Sequence, residues 1–149
     1  MKGRRICFWT FVAYCALMVW LLFGRSQYGP GQLADNFNPV PFETILRFCR
    51  VLLGDFSLGM KKHAVVNLVG NVVMFVPLGF FTAMLWRQFR PLWRCALLGG
   101  GIIVCVELTQ LLTRVGSCDF DDLLLNVVGI CMGYGLMRLK KRNEKTRKT

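Results

Sequence analysis

Residues Ser117 to Asn126 read SCDFDDLLLN, which sets three carboxylates, Asp119, Asp121 and Asp122, at the entrance to an apolar run. Clustered carboxylates can hold Mg2+ against a substrate phosphate. They can also attract a cationic head group, or cap a helix. Asp119 fits an N-cap, and Asp122 stands where a capping box has its reciprocal acid. Acidic residues also suit the positive end of a helix dipole, at about 0.3–1 kcal/mol each. Capping accounts for one or two of the aspartates. It does not account for Glu107, or for Asn126 one turn further on.

Other polar residues inside apolar stretches follow helical spacing. Asn67 and Asn71 are four apart on one face, which Phe75 and Leu78 continue. Glu107, Gln110 and Arg114 are spaced three and four apart and share a stripe. Asp119, Asp122, Asn126, Gly129 and Gly133 form a third face, polar first and then small. Gly129 and Gly133 make a small-xxx-small pair that lets a second helix approach closely. Pro77, just before Gly79, should kink its helix because it removes a backbone hydrogen bond.

These faces need helices to carry them. Four apolar segments stand out, at about 6–24, 64–85, 93–112 and 123–139. A spanning helix takes roughly 17–25 residues. The first segment is longer than the ~7–15 residues of a signal-peptide core and has no A-x-A-like cleavage site, so it reads as a retained helix. The expected fold is all-α, an integral membrane bundle of four transmembrane helices. Its organisation reads as an N-terminal span (1–24), an extracytoplasmic loop (25–63), a three-helix core (64–139) and a basic cytoplasmic tail (140–149). In the loop, Phe42, Ile45, Leu46, Cys49, Leu52 and Leu53 recur at helical spacing over too short a stretch to span. They predict an amphipathic helix lying on the outer membrane surface, with packing over the bundle as the alternative.

Composition agrees. The 149 residues are 54% hydrophobic with a net charge of +11, and mean hydropathy is +0.46. The basic residues cluster between apolar runs, which argues for a membrane and against nucleic acid. Seven cysteines without a CxxC pair read as small buried hydrophobes. A single histidine, His63, argues against histidine triads, His-ligated zinc and phosphohistidine lipid phosphatases.

With the N-terminus cytoplasmic, 13 Lys and Arg residues fall inside and 6 outside, so both termini are expected in the cytoplasm. The basic tail then reads as an anchor to anionic lipid. At 1.5 Å per residue, Asn67 and Asn71 lie roughly 6 and 12 Å below the outer end of their helix, Glu107 about 9–10 Å and Asn126 about 6 Å. The polar faces thus share one level, in the outer half. They predict an outward-opening pocket formed by Asn67, Asn71, Glu107, Gln110, Arg114, Asp119, Asp122 and Asn126.

At these residues the sequence resembles the VanZ family of bacterial membrane proteins. The matching elements are Asn67-x3-Asn71-x3-Phe75-x-Pro77-Leu78-Gly79, Glu107-x2-Gln110, and Arg114-Val-Gly-Ser-Cys-Asp119-Phe-Asp121-Asp122-x3-Asn126-x2-Gly129. An Asn38-Pro-x-Pro-Phe42 element joins them, and the likeness covers about residues 36–137. Cys118 departs from the aromatic or aliphatic residue of many members. The resemblance implies a bacterial cell-membrane protein in envelope physiology, connected with low-level resistance to the glycopeptide teicoplanin. It implies no catalytic role for any single residue.

Three functions compete. A non-enzymatic binding protein would engage an amphiphile, either a lipid-linked cell-wall precursor or the lipid-tailed antibiotic, with no cofactor. A metal-dependent intramembrane enzyme would use Mg2+ on Asp119, Asp121 and Asp122 to act on a polyprenyl-phosphate or other lipid. A structural role would need the polar residues only for folding.

Overall fold

The computed structural model describes residues 2–24, 37–113 and 118–147. Within them the chain is an all-α membrane bundle. Helices α1 (Lys2–Phe23), α3 (Leu58–Leu85), α4 (Leu92–Thr113) and α5 (Phe120–Thr146) are each long and apolar enough to cross a membrane. The short helix α2 (Glu43–Leu53) lies between the first two of them. Two-residue segments β1 (Phe37–Asn38) and β2 (Cys118–Asp119) pair in parallel, with Asn38 opposite Asp119.

Long helices consecutive in the chain run in opposite directions, so α1 and α4 run the same way. Arg4 at the start of α1 donates to the Leu85 carbonyl at the end of α3, at 3.4 Å. Gln110 near the end of α4 donates to the Leu22 carbonyl at the end of α1, at 2.9 Å. One end of the bundle therefore carries α2, the start of α3, the end of α4 and the start of α5. The other end carries the N-terminus and most of the basic residues.

Two helices outrun their apolar segments. Ser57 caps α3, accepting from the Met60 amide, and the helix begins six residues before Ala64. α5 continues seven residues beyond Leu139, so residues 140–146 of the basic tail are helical. That stretch holds no Gly or Pro, and cations are favourable at a helix C-terminus. Hydropathy marks where a helix leaves the apolar layer, not where it stops.

The centre of the bundle is the crossing of α3 and α5, and glycine permits it. A Cβ placed on Gly129 would lie 2.1 Å from the Val72 carbonyl oxygen, and one on Gly133 would lie 1.9 Å from that of Val76. On the opposing helix, a Cβ on Gly79 would lie 2.0 Å from the Ile130 carbonyl oxygen. Backbone thus meets backbone, as small residues allow in lipid. Phe75, Leu78, Ile103, Ile130 and Met137 fill the buried core around this contact. Pro77 stands inside α3 without ending it. Tyr14 of α1 donates to the Met74 carbonyl at 2.8 Å, so its hydroxyl is satisfied inside the apolar layer.

Helix α2 packs over the bundle end, against α3 and α5. Its Thr44 is buried, and Ile45, Phe48 and Cys49 are half-buried, whereas Leu46 and Leu53 face outward. The packed alternative therefore describes it better than a helix lying free on the membrane surface.

Candidate functional site

The start of α5 is where the polar residues meet. Asp119 is its N-cap, and Oδ1 accepts from the Asp121 amide at 2.9 Å. The other oxygen of Asp119 accepts from the Thr44 hydroxyl at 2.6 Å and from the Asn38 amide at 3.5 Å. One carboxylate thereby caps its own helix and holds the start of α2.

Asp121 is fully buried. Its two oxygens accept from the Phe42 backbone N–H at 2.6 Å and the Ile45 backbone N–H at 2.9 Å. These are unpaired donors at the start of α2, so Asp121 caps that helix from another part of the chain. Phe42 sits in the left-handed region, with φ 65°. That conformation costs a non-glycine residue about 1–3 kcal/mol and persists only where surrounding contacts fix it. The Asp121 carboxylate is one such contact, anchored on the rigid first turn of α5.

Asp122 turns the other way. It accepts a short hydrogen bond from the Asn71 side chain of α3. The capping-box position is thus spent on a neighbouring helix. Glu107 of α4 is buried and faces the carboxylates of Asp122 and Asp119 and the Asp119 backbone amide. Asn126, one turn below Asp122, is 4% exposed.

Within this cluster three buried oxygens lack a hydrogen-bond partner: Asn67 Oδ1, Glu107 Oε2 and Asn126 Oδ1. All three are acceptors, and they come from three different helices. Each buried group left unpaired costs about 1–3 kcal/mol. Among the described residues, no donor reaches these three oxygens.

Five of the eight residues expected in the pocket, Asn67, Asn71, Glu107, Asp122 and Asn126, thus line the facing sides of α3, α4 and α5. Asp119 borders them but serves α2. Gln110 lies apart, because three residues turn a helix by about 300° and its side chain reaches α1 instead of Glu107. Arg114 lies outside the described residues. Pro77, Gly79, Gly129 and Gly133 belong to the α3–α5 crossing.

The aspartate triplet does not act as a unit. Asp121 serves the α2 backbone, Asp119 serves Thr44 and Asp122 serves Asn71. Among the described residues, no group of three or more His, Cys, Asp or Glu side chains is placed to hold a metal ion. The three aspartates therefore do not converge on one point.

Sequence reasoning missed Asp121 as the pin of α2, and missed Thr44 altogether. The only available signal was the Asn38-Pro-x-Pro-Phe42 element, whose turn residues mark a fixed helix entry without naming its distant partner.

A family model described as VanZ/LLP1 matches residues 11–141 of the chain. Neither the curated proteins nor the solved structures contain a match.

Proposed function

The chain belongs to the VanZ/LLP1 family, and on that premise we propose that it binds an amphiphile and lowers teicoplanin susceptibility without chemical turnover. The cluster of Asn67, Asn71, Glu107, Asp122 and Asn126 is the binding site. It opens outward from a bacterial cell membrane, with both termini in the cytoplasm. The ligand is the N–H-bearing head of a lipid-linked wall precursor or of the lipid-tailed antibiotic. Its tail stays in the bilayer beside the helices.

The observation that carries this reading is the set of three buried acceptors, on three helices, that have no partner among the described residues. A purely structural network gains most by satisfying its own members. This one leaves acceptors open next to a buried carboxylate, which suits an incoming amine or amide donor. An N–H group meeting Glu107 would satisfy its open oxygen, which otherwise costs about 1–3 kcal/mol. Helix α2, held by Asp119 and Asp121, roofs the same end of the bundle and fixes the approach to the cluster.

The test is teicoplanin susceptibility in a sensitive Gram-positive host expressing wild type, Glu107→Gln or Gln110→Leu, at matched membrane abundance. The reading expects protection by wild type and by Gln110→Leu, and none by Glu107→Gln. Equal protection by all three would assign the cluster a structural role. A divalent-cation requirement with product formation from a polyprenyl-phosphate lipid would replace binding by catalysis.

A further inference from the structure

We propose a second binding site, independent of the polar cluster: the groove between α2 and the start of α3 takes the phosphate of a membrane lipid. The groove encloses about 420 Å3 and is lined by Arg47, Phe48 and Arg50 of α2 and by Phe56, Met60 and His63. Phe56 and Met60 are 45% and 48% exposed there, an apolar floor at the end of a membrane bundle. Arg47 and Arg50 are three residues apart and share a helix face.

The two arginines have charge to give. Among the described residues neither forms an ion pair with a carboxylate. Arg47 donates to the Thr44 hydroxyl at 3.3 Å and lies over the Phe48 ring, 5.5 Å from its centroid. The Phe48 ring in turn meets His63 at 5.7 Å, which joins α2 to α3 across the groove. The first turn of α3 contains no acidic residue, and Lys61 and Lys62 follow it. The positive end of that helix is therefore uncompensated by its own side chains. Guanidinium forks match phosphate oxygens in geometry as well as charge.

A lipid fits this groove better than a free phosphate does. The arginines account for only part of the lining, and Phe56 and Met60 leave exposed apolar surface that a free phosphate would not cover. A phosphate held at the rim lays its glycerol and upper chains along Phe48, Phe56 and Met60. The site works on whichever side of the membrane α2 lies, because both leaflets contain phospholipid.

The test is lipid retention by the purified full-length protein, read by native mass spectrometry and titration. The probes are phosphatidylglycerol, diacylglycerol with the same chains, and glycerol 3-phosphate. The variants are Arg47→Gln/Arg50→Gln and, at the opposite end, Arg138→Gln/Arg142→Gln. All four arginines are exposed, so the variants keep the fold, which a melting curve checks. Wild type is expected to hold phosphatidylglycerol in preference to diacylglycerol, and glycerol 3-phosphate is expected to compete weakly. Arg47→Gln/Arg50→Gln should weaken retention about 30-fold, at the usual interfacial value of each basic residue, and the opposite pair should leave that site unchanged. Equal retention by Arg47→Gln/Arg50→Gln overturns the site. Equal weakening by both pairs overturns it as general charge attraction. Glycerol 3-phosphate binding as tightly as the lipid overturns the choice of a lipid.

Discussion

Removing the Asp121 carboxylate should release α2 while leaving the four-helix bundle folded. Asp121 is fully buried and accepts two backbone N–H bonds, at 2.6 and 2.9 Å. Hydrogen bonds to a charged group contribute about 1.5–3 kcal/mol each, so Asp121→Ala should cost α2 about 3–6 kcal/mol of docking. Even the lower figure multiplies the opening equilibrium by roughly 100-fold. The strained Phe42 backbone then loses a contact that helps hold it, which adds to the release. The assay is hydrogen exchange of the amides from Phe42 to Leu53, with those of α3 and α5 as internal reference. Asp121→Ala should speed the first set by two orders of magnitude or more and leave the second near wild type. Asp121→Asn retains one acceptor and should fall between. If the α2 amides exchange in Asp121→Ala as in wild type, the carboxylate does not hold the helix. If α3 and α5 loosen equally, Asp121 supports the whole bundle and is not a local pin.

The α3–α5 crossing should be intolerant of added bulk. Gly133→Leu places its side chain against the Val76 carbonyl, where a Cβ alone lies 1.9 Å away, and should cost at least the 1–3 kcal/mol typical of overpacking. Gly135→Ala has open space at its Cβ and should stabilise by up to about 1 kcal/mol through helix propensity. Melting of the two variants in one detergent checks both signs. A reporter fused to the C-terminus, active only in the cytoplasm, should be active, and silence would invert the proposed topology.

The elements were legible in the sequence because a membrane leaves little freedom. Four runs of apolar residues must be four helices, since backbone in lipid has to satisfy itself. The amphipathic spacing from Phe42 to Leu53 marked α2 equally clearly. Gly129 and Gly133 identified their helix face by size alone. Asp119 could be read as a cap because its partner amide is two residues away. The partners of Asp121 lie 76 and 79 residues distant, and no local pattern could point to them. Gln110 was misplaced for a related reason. Helical spacing says which residues share a stripe, but a long side chain at the stripe's edge can reach a different neighbour. For Gln110 that neighbour is the Leu22 carbonyl at the end of α1. The seating of α2 on the bundle end is tertiary as well. It depends on β1 meeting β2, two segments 81 residues apart.

The most direct measurement is teicoplanin binding to the purified protein in lipid nanodiscs, comparing wild type with Glu107→Gln. The account predicts saturable binding by wild type that weakens roughly 5- to 150-fold in Glu107→Gln, because Gln offers one acceptor oxygen where Glu offers two and leaves one buried N–H unpaired, at about 1–3 kcal/mol. Binding of equal strength by both proteins, or none by wild type, would contradict it.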